Sequence, residues 1–313
     1  MSAGGRTGTV RWTVPGHARV LFGSPCGDGA REIDAVLPRK VRVPGDETSP
    51  VAVGDRVGVE TTPEGPVVGW VERRSTALSR RASGQRPARQ VICANADAMV
   101  CVMASAQPEP RWGMLDRYLL IAETCGMSPL VVLSKSDLAS PEVEAAGERY
   151  RSLGYEVLSV CALRGRNMPE LRARLSGRSS VVVGKSGVGK STLVNALVPG
   201  ASQVVGEVGE TTSKGRHTTT LAVLFEFDGG GTLIDTPGVR EIAPWNIDPA
   251  TVSHHFCEMV PLLDGCRFAG SCTHSHEIGC AVRDAVERGG VTRERYESYL
   301  RLREAAEADA AAS

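Results

Sequence analysis

Two kinds of hydrophobic pattern divide this chain. From Thr9 to Val71 the apolar positions come in six short β-rich runs, among them Arg19-Val20-Leu21-Phe22, Val41-Arg42-Val43 and Val57-Gly58-Val59, separated by Gly, Pro and Asp turn signals. Such spacing predicts a small β-barrel, and it suits an SH3-like barrel as well as an OB-fold. Farther on, near-continuous aliphatic runs take over: Val131-Val132-Leu133, Val157-Leu158, Val181-Val182-Val183 and Thr232-Leu233-Ile234. Runs of that kind are strands buried on both faces, and with a helix beginning over Leu193 to Leu197 they predict an α/β domain. Near the end, Thr292 to Leu302 sets Tyr296, Tyr299 and Leu300 on one helical face, and the Ala-rich stretch beyond it to Ser313 is expected to fray. The expected boundaries are 1–82 for the barrel and the start of a basic linker, 83–243 for the α/β domain, and 244–313 for a helical C-terminal domain.

Composition narrows this plan. A length of 313 residues suits about two domains, and 42% hydrophobic residues supply packed cores although aromatics are only 4%. The 36 basic and 36 acidic residues cancel, which removes global steering toward nucleic acid. Locally, however, Arg73, Arg74, Arg80, Arg81, Arg86 and Arg89 occur over 73–90 with no acidic residue among them, an expected phosphate-binding stripe. No run between Met1 and Val14 is apolar enough for a signal peptide, and no stretch approaches a membrane span. With nine cysteines, an odd number, the expectation is reduced thiols, a metal site and a cytoplasmic location without membrane contact.

The most informative chemistry follows Val183. Gly184-Lys185-Ser186-Gly187-Val188-Gly189-Lys190-Ser191, then Thr192, meets the phosphate-loop pattern in full, directly after a strand and directly before a helix. The glycines permit turns in which backbone N–H groups converge on phosphates, and the positive end of the helix faces the same anion. Lys190 is then expected to bridge phosphate oxygens and Ser191 to hold Mg²⁺. Downstream, Asp235-Thr236-Pro237-Gly238 reads as a strand-end Asp-x-x-Gly, with Asp235 orienting Mg²⁺ and the Gly238 amide touching the γ-phosphate. Between them, Gly215-Arg216-His217-Thr218-Thr219-Thr220 is a candidate switch loop in which Thr218 or Thr219 completes the Mg²⁺ sphere.

Upstream lies the base-reading half. Ser134-Lys135-Ser136-Asp137 follows a buried strand and resembles the Asn/Thr-Lys-x-Asp guanine motif. A carboxylate at Asp137 accepts from both N1–H and the N2 amine of guanine, whereas adenine leaves polar groups unpaired at about 1 to 3 kcal/mol each. Cys161-Ala162 resembles the Ser-Ala element that closes over guanine O6 through a main-chain N–H. Since the guanine and closing motifs precede the phosphate loop, the order is circularly permuted, and a parallel sheet allows this because ligand loops all sit at its carboxyl edge.

A third group stands in the C-terminal region. Cys266, Cys272, His274 and Cys280 form Cys-x5-Cys-x-His-x5-Cys, three sulfurs and an imidazole within fifteen residues, a set suited to one closed, structural Zn²⁺ site; His276 and Cys257 are nearby alternatives.

The permuted motif order, Gly-Arg-His-Thr-Thr-Thr at 215–220 and the flanking modules together resemble the ribosome small-subunit-dependent GTPase A family (RsgA, also called YjeQ) over nearly the whole chain. The resemblance implies an OB-fold barrel, a circularly permuted P-loop GTPase domain and a zinc-binding helical domain. It also implies GTP and GDP as ligands and the 30S subunit with its 16S rRNA as partner. Hydrolysis is then expected to be stimulated by 30S and coupled to its late maturation, with the factor acting as a monomer. A nucleotide-gated RNA-binding module, or a permuted GTPase acting on another RNA particle, is the alternative. Val239 follows Gly238 where many GTPases place a water-orienting Gln, so slow intrinsic turnover is expected, with His217 as the candidate catalytic residue.

Overall fold

The structure, a computed structural model, describes residues 6–23, 31–45, 50–81, 89–203, 222–228, 230–236 and 247–311. Five strands close the N-terminal barrel: β1 (Arg6–Val14), β2 (His17–Phe22), β3 (Arg31–Val36), β4 (Arg56–Thr62) and β5 (Gly65–Val71), in the order β1-β2-β3-β5-β4 with β1 pairing back to β4. This order, with β3 and β5 parallel where they meet, is that of an OB-fold. Of the runs expected from the sequence, Val41-Arg42-Val43 forms no strand: flanked by Pro38 and Pro44, it lies in the β3–β4 connection and buries only Val43 in the barrel core.

A bulge in β1 decides how the barrel joins the rest. Pairing with β2 runs from Val10↔Val20 directly to Trp12↔Arg19, so Arg11 is an extra residue and the alternation of faces shifts by one. Val10 therefore points into the barrel core, while Trp12, two residues on, turns out of it and enters the core of the neighbouring domain. Without the bulge the two would share a face.

That domain is a six-stranded sheet of order β10-β9-β8-β11-β13-β12, built from β8 (Ala98–Ala104), β9 (Ser128–Ser134), β10 (Glu156–Ser159), β11 (Ser179–Val183), β12 (Val223–Phe227) and β13 (Gly231–Asp235). All neighbours pair in parallel except the terminal β12–β13 pair. A hairpin of β6 (Ala77–Arg81) and β7 (Arg89–Ala94) leads into it from the barrel. Every residue of β8 is buried, as a parallel strand covered on both faces requires. Helix α1 (Trp112–Thr124) covers one face through Leu115, Tyr118 and Leu119. The other is covered by α3 (Met168–Leu175) and α4 (Lys190–Leu197), while α2 (Pro141–Ser152) joins β9 to β10. The edge strand β12 is shielded by the barrel, Arg11 Nε donating to the Leu224 carbonyl at 3.2 Å.

Short 3₁₀ turns dominate the start of the C-terminal region, over Pro249–His255, Val260–Gly265 and Ala269–Ser271, followed by α5 (Ala281–Glu287) and α6 (Arg293–Ala311). Its small core takes in Leu120 from α1, so it packs on the sheet domain as well as on itself. Helix α6 continues well past Leu302 instead of fraying there; alanine has the highest helix propensity, and Ala306 is buried in this core.

Candidate functional site

The phosphate loop leaves β11 at Val183, close against the neighbouring strand. A Cβ on Gly184 would stand 2.5 Å from the Val102 carbonyl oxygen, so only glycine fits. Gly189, with φ of 92°, turns the chain into α4, whose first-turn N–H groups form the positive end of the helix at the loop. The Lys190 ammonium lies within the loop, donating to the carbonyls of Gly184 and Lys185 at 2.6 and 2.9 Å. Asp235 ends β13 and is 8% exposed. Burial raises its carboxyl above the ordinary range, offset in part by the Lys190 charge, and burial lowers the Lys190 ammonium in turn. Ser191 is exposed at the start of α4, and the Thr236 hydroxyl, donating to the Val182 carbonyl at 3.2 Å, pins the end of β13 beside β11.

The guanine-motif segment is fastened to this loop by its own side chains. Ser134 closes β9 and donates its hydroxyl to the Val188 carbonyl at 2.5 Å. Lys135, in the left-handed region at φ 53°, extends its ammonium to the Gly187 carbonyl at 2.8 Å and to the Gln107 carbonyl. The Ser136 N–H donates to Val160, which draws in the β10 end. There the Cys161 thiol donates to the Asp137 carboxylate, and Arg164 Nε stands 3.4 Å from it, so the exposed carboxyl is held below its ordinary value. The Cys161 N–H is engaged by the Arg166 carbonyl at 3.1 Å, whereas Ala162, opening the next 3₁₀ turn, has no partner for its N–H among the described residues. Of these two residues, Ala162 thus has the main-chain donor available to a base. Loops from β8, β9, β10, β11 and β13 meet at one edge of the sheet, the edge where open α/β sheets bind ligands.

Gln107 is a participant that residue-type reasoning misses, because it contributes a carbonyl and any residue has one. The nearest signal is Gln107-Pro108-Glu109-Pro110, a chain-breaking run directly after a buried strand. His217, Thr218, Thr219 and Gly238 lie outside the described residues.

Of the expected arginine stripe, Arg86 and the side chain of Arg81 lie outside the described residues, and Arg74 is withdrawn from the surface. Arg74 forks onto Asp55, Nε to Oδ1 at 2.8 Å and Nη2 to Oδ2 at 2.7 Å, with its side chain 6% exposed and that of Asp55 0%. A carboxylate buried this fully needs a paired cation, and Arg74 is drawn inside to supply it. Arg80 bonds Gln90 and Arg89 bonds Ser79 across the hairpin, while Arg73 is exposed.

In the C-terminal domain Cys266, Cys272, His274 and Cys280 are all buried, and their ligand atoms lie within 4.8 Å of one another. Cys266 Sγ and Cys280 Sγ are 3.5 and 3.4 Å from His274 Nδ1 and 4.0 Å apart. A tetrahedron with metal–sulfur bonds of about 2.3 Å and metal–nitrogen bonds of about 2.0 Å has edges of about 3.5 to 3.8 Å, so the four groups fit one metal ion. Burial pushes the Cys272 thiol up to about 12 and lowers His274, which keeps its imidazole neutral and able to ligate; a bound cation would hold the sulfurs as thiolates. Cys257 and His276 stand apart, bonded to Leu153 and Ser275. Outside the ligand set, the hydroxyls of Tyr296 and Tyr299 on α6 donate to the carbonyls of His274 and Thr273 at 2.6 and 2.8 Å, fixing the metal loop to that helix.

An OB-type barrel, a phosphate loop on a permuted parallel sheet and a compact domain built round a Cys/His cluster that could hold a metal ion define a circularly permuted GTPase. The chain matches the model of the RsgA GTPase family over residues 71–245. It is 43% identical over 259 residues to the small ribosomal subunit biogenesis GTPase RsgA of Gemmatimonas aurantiaca, covering 81% of this chain and 84% of that one. To the protein of the same name from Azotobacter vinelandii it is 43% identical over 258 residues, covering 80% and 74%. Among solved structures it resembles YjeQ from Thermotoga maritima, with a TM-score of 0.74 and 29% identity over 96% of this chain and 98% of that one. The circularly permuted GTPase YloQ shares the fold, with a TM-score of 0.71 and 24% identity over 96% and 95%. The chain belongs to the RsgA GTPase family and is a GTP-hydrolysing enzyme.

Proposed function

We propose that this GTPase couples GTP hydrolysis to late maturation of the small ribosomal subunit, binding 30S through its 16S rRNA and leaving after hydrolysis. One observation carries the nucleotide pocket: Ser134 and Lys135 join the Asp137–Ala162 segment to the Gly184–Ser191 loop, so base-reading and phosphate-binding groups form one crevice. The ribosomal partner is argued from the relatives, which bear the name of small ribosomal subunit biogenesis GTPases.

In this reading Asp137 accepts from N1–H and N2 of guanine, and the Ala162 N–H, beside Cys161, faces O6. Lys135 and Ser136 hold the motif in place. The amides of Lys185 to Thr192 and the Lys190 ammonium bind the phosphates, and the Gly238 amide meets the γ-phosphate. Ser191 and Asp235 would hold Mg²⁺, with Thr218 or Thr219 completing its shell; bound there, the ion neutralises phosphate charge. Asp235, buried at the end of β13 where the Lys190 charge offsets part of the cost of burying its carboxylate, suits that duty. Val239 cannot orient a water, and we assign that role to His217 on sequence grounds. The Cys266, Cys272, His274 and Cys280 set would hold one structural Zn²⁺. The factor acts as a monomer in the cytoplasm, and no described helix is long and apolar enough to cross a membrane.

Phosphate release measured with purified 30S, 50S and 70S particles tests this. Stimulation is expected with 30S and is expected to vanish in His217→Ala while GTP affinity holds; no response to 30S refutes the ribosomal role. Asp137→Asn should shift preference from GTP to xanthosine triphosphate, since the amide then meets an oxygen at position 2. Unaltered preference would remove Asp137 from the base site.

A further inference from the structure

Arg295 is a buried cation far from the nucleotide crevice, and nothing in the hydrolytic reading uses it. It projects from α6, is 7% exposed, and sits over the Phe256 ring at 4.4 Å and near the Tyr150 ring at 5.6 Å. Its guanidinium forks onto Glu258, Nε to Oε1 at 2.6 Å and Nη2 to Oε2 at 3.0 Å. The remaining arm reaches into the sheet domain, Nη1 donating to Asp116 Oδ1 at 2.5 Å, where the Tyr150 hydroxyl also donates at 2.6 Å. Asp116 belongs to α1, and Trp112, the first residue of that helix, stacks on Tyr150 with ring centroids 5.7 Å apart.

What α1 carries at its amino end matters. The loop entering it, residues 105–111, is held at the crevice: the Ser105 N–H donates to the Ser134 carbonyl, and the Gln107 carbonyl accepts from the same Lys135 ammonium that bonds Gly187. On the far side, α6 holds the metal loop through Tyr296 and Tyr299, neighbours of Arg295. A continuous set of directional contacts therefore runs from the metal loop through α6, Arg295, Asp116 and α1 to the Lys135–Gly187 mouth of the pocket. A guanidinium with three aligned bonds transmits orientation where a methylene contact would slide.

We propose that Arg295 is a positioning residue for the GTPase reaction: by locking the metal domain to α1 it fixes loop 105–111 against Lys135 and Gly187, so that nucleotide binding and the seating of the metal domain favour each other. The inference rests on the nucleotide crevice proposed above. Because coupling of binding is reciprocal, loosening this joint weakens nucleotide binding, and nucleotide in turn reports at Trp112.

The test uses the full-length, zinc-loaded protein labelled with 5-fluorotryptophan, with the Trp112 fluorine resonance assigned from Trp112→Phe. GDP and a non-hydrolysable GTP analogue are titrated into wild type, Arg295→Lys and Arg295→Met, with zinc content and thermal melting checked for each. Arg295→Lys keeps the buried charge and is the informative variant if Arg295→Met does not fold. In wild type the Trp112 resonance moves on saturation. In the variants it stays in place, and affinity falls about five- to tenfold, the lower range of site-to-site coupling. A purely structural role predicts lower melting temperatures with unchanged affinity and an unchanged Trp112 response, and that result would overturn the proposal. So would a wild-type Trp112 resonance that ignores nucleotide. Failure of the crevice itself reads differently: wild type would then bind no guanine nucleotide, or Asp137→Asn would leave base preference intact.

Discussion

The two joints of the sheet domain are built from opposite materials. On the barrel side, the β1 bulge turns Trp12 out of its own barrel, and Trp12 and Val14 merge with Phe225 and Val223 in the core beneath the sheet. On the metal-domain side the centre is Arg295 between Asp116 and Glu258, ringed by Phe256 and Tyr150. Apolar contact is non-directional, so the first joint keeps most of its stabilisation under small displacements. Three charges withdrawn from water cost several kcal/mol per ion unless every bond is aligned, so the second joint holds in one geometry only. One attaches a module; the other fixes its register, and its directional bonds lead through α1 to loop 105–111.

The largest expected effect breaks the ionic joint. Arg295→Met leaves Asp116 and Glu258 buried without their cation, and a loss of about 3 to 5 kcal/mol follows, read as a lower urea midpoint. Replacing all three charges at once, as Arg295→Met with Asp116→Leu and Glu258→Met, should recover most of it, because the lone charges and not the missing attraction carry the penalty. If the triple variant is as unstable as the single one, the joint is held by packing and the contrast fails. Trp12→Ala comes next, at about 3 kcal/mol for a large aromatic removed from a core. Its nucleotide affinity should stay at the wild-type value, since the contacts of Trp12 with the sheet domain core are apolar and non-directional; a loss matching that of Arg295→Lys would show that both joints report to the pocket.

How much of this could be read along the chain follows from locality. The phosphate loop and the Cys/His set are legible because their residues are contiguous or nearly so, and their chemistry needs particular side chains at fixed spacing. The permuted order is legible for the same reason, each motif being recognisable alone. Arg74 shows the limit: among the other arginines it reads as part of a phosphate-binding stripe, yet its partner Asp55 lies nineteen residues back and takes it inside. Arg295 and Asp116 are separated by 179 positions, and in Arg293-Glu294-Arg295 nothing marks the third residue as buried. The role of Gln107 is carried by a backbone oxygen and the facing of Trp12 by a one-residue bulge, neither of which has a residue-type signature. The length of α6 is legible in composition, since an alanine-rich continuation favours helix, but the burial of Ala306 in the C-terminal core is not.

Acid sharpens the comparison most gently. The Glu258 carboxyl is held below its ordinary value of 4.5: burial opposes its ionised form, but hydrogen bonds and charge from Arg295 outweigh burial, with a smaller contribution from the Cys257 thiol. A depressed carboxyl contributes stability that is complete above its unfolded value and is lost as pH falls through the folded one. The stability gap between wild type and Glu258→Gln should therefore be constant from neutral pH down to about 4.5 and narrow only below it. Protonation of the Cys/His cluster in acid affects both proteins and cancels in the difference. The gap between wild type and Trp12→Ala, which involves no titrating group at its centre, should stay flat over the same range. Paired urea titrations from about pH 7 to 4 make the measurement. A Glu258 gap that already closes between about pH 6 and 5 would mean the carboxylate is not held ionised by Arg295, and the joint would then lack the directional bonds that distinguish it from the barrel side.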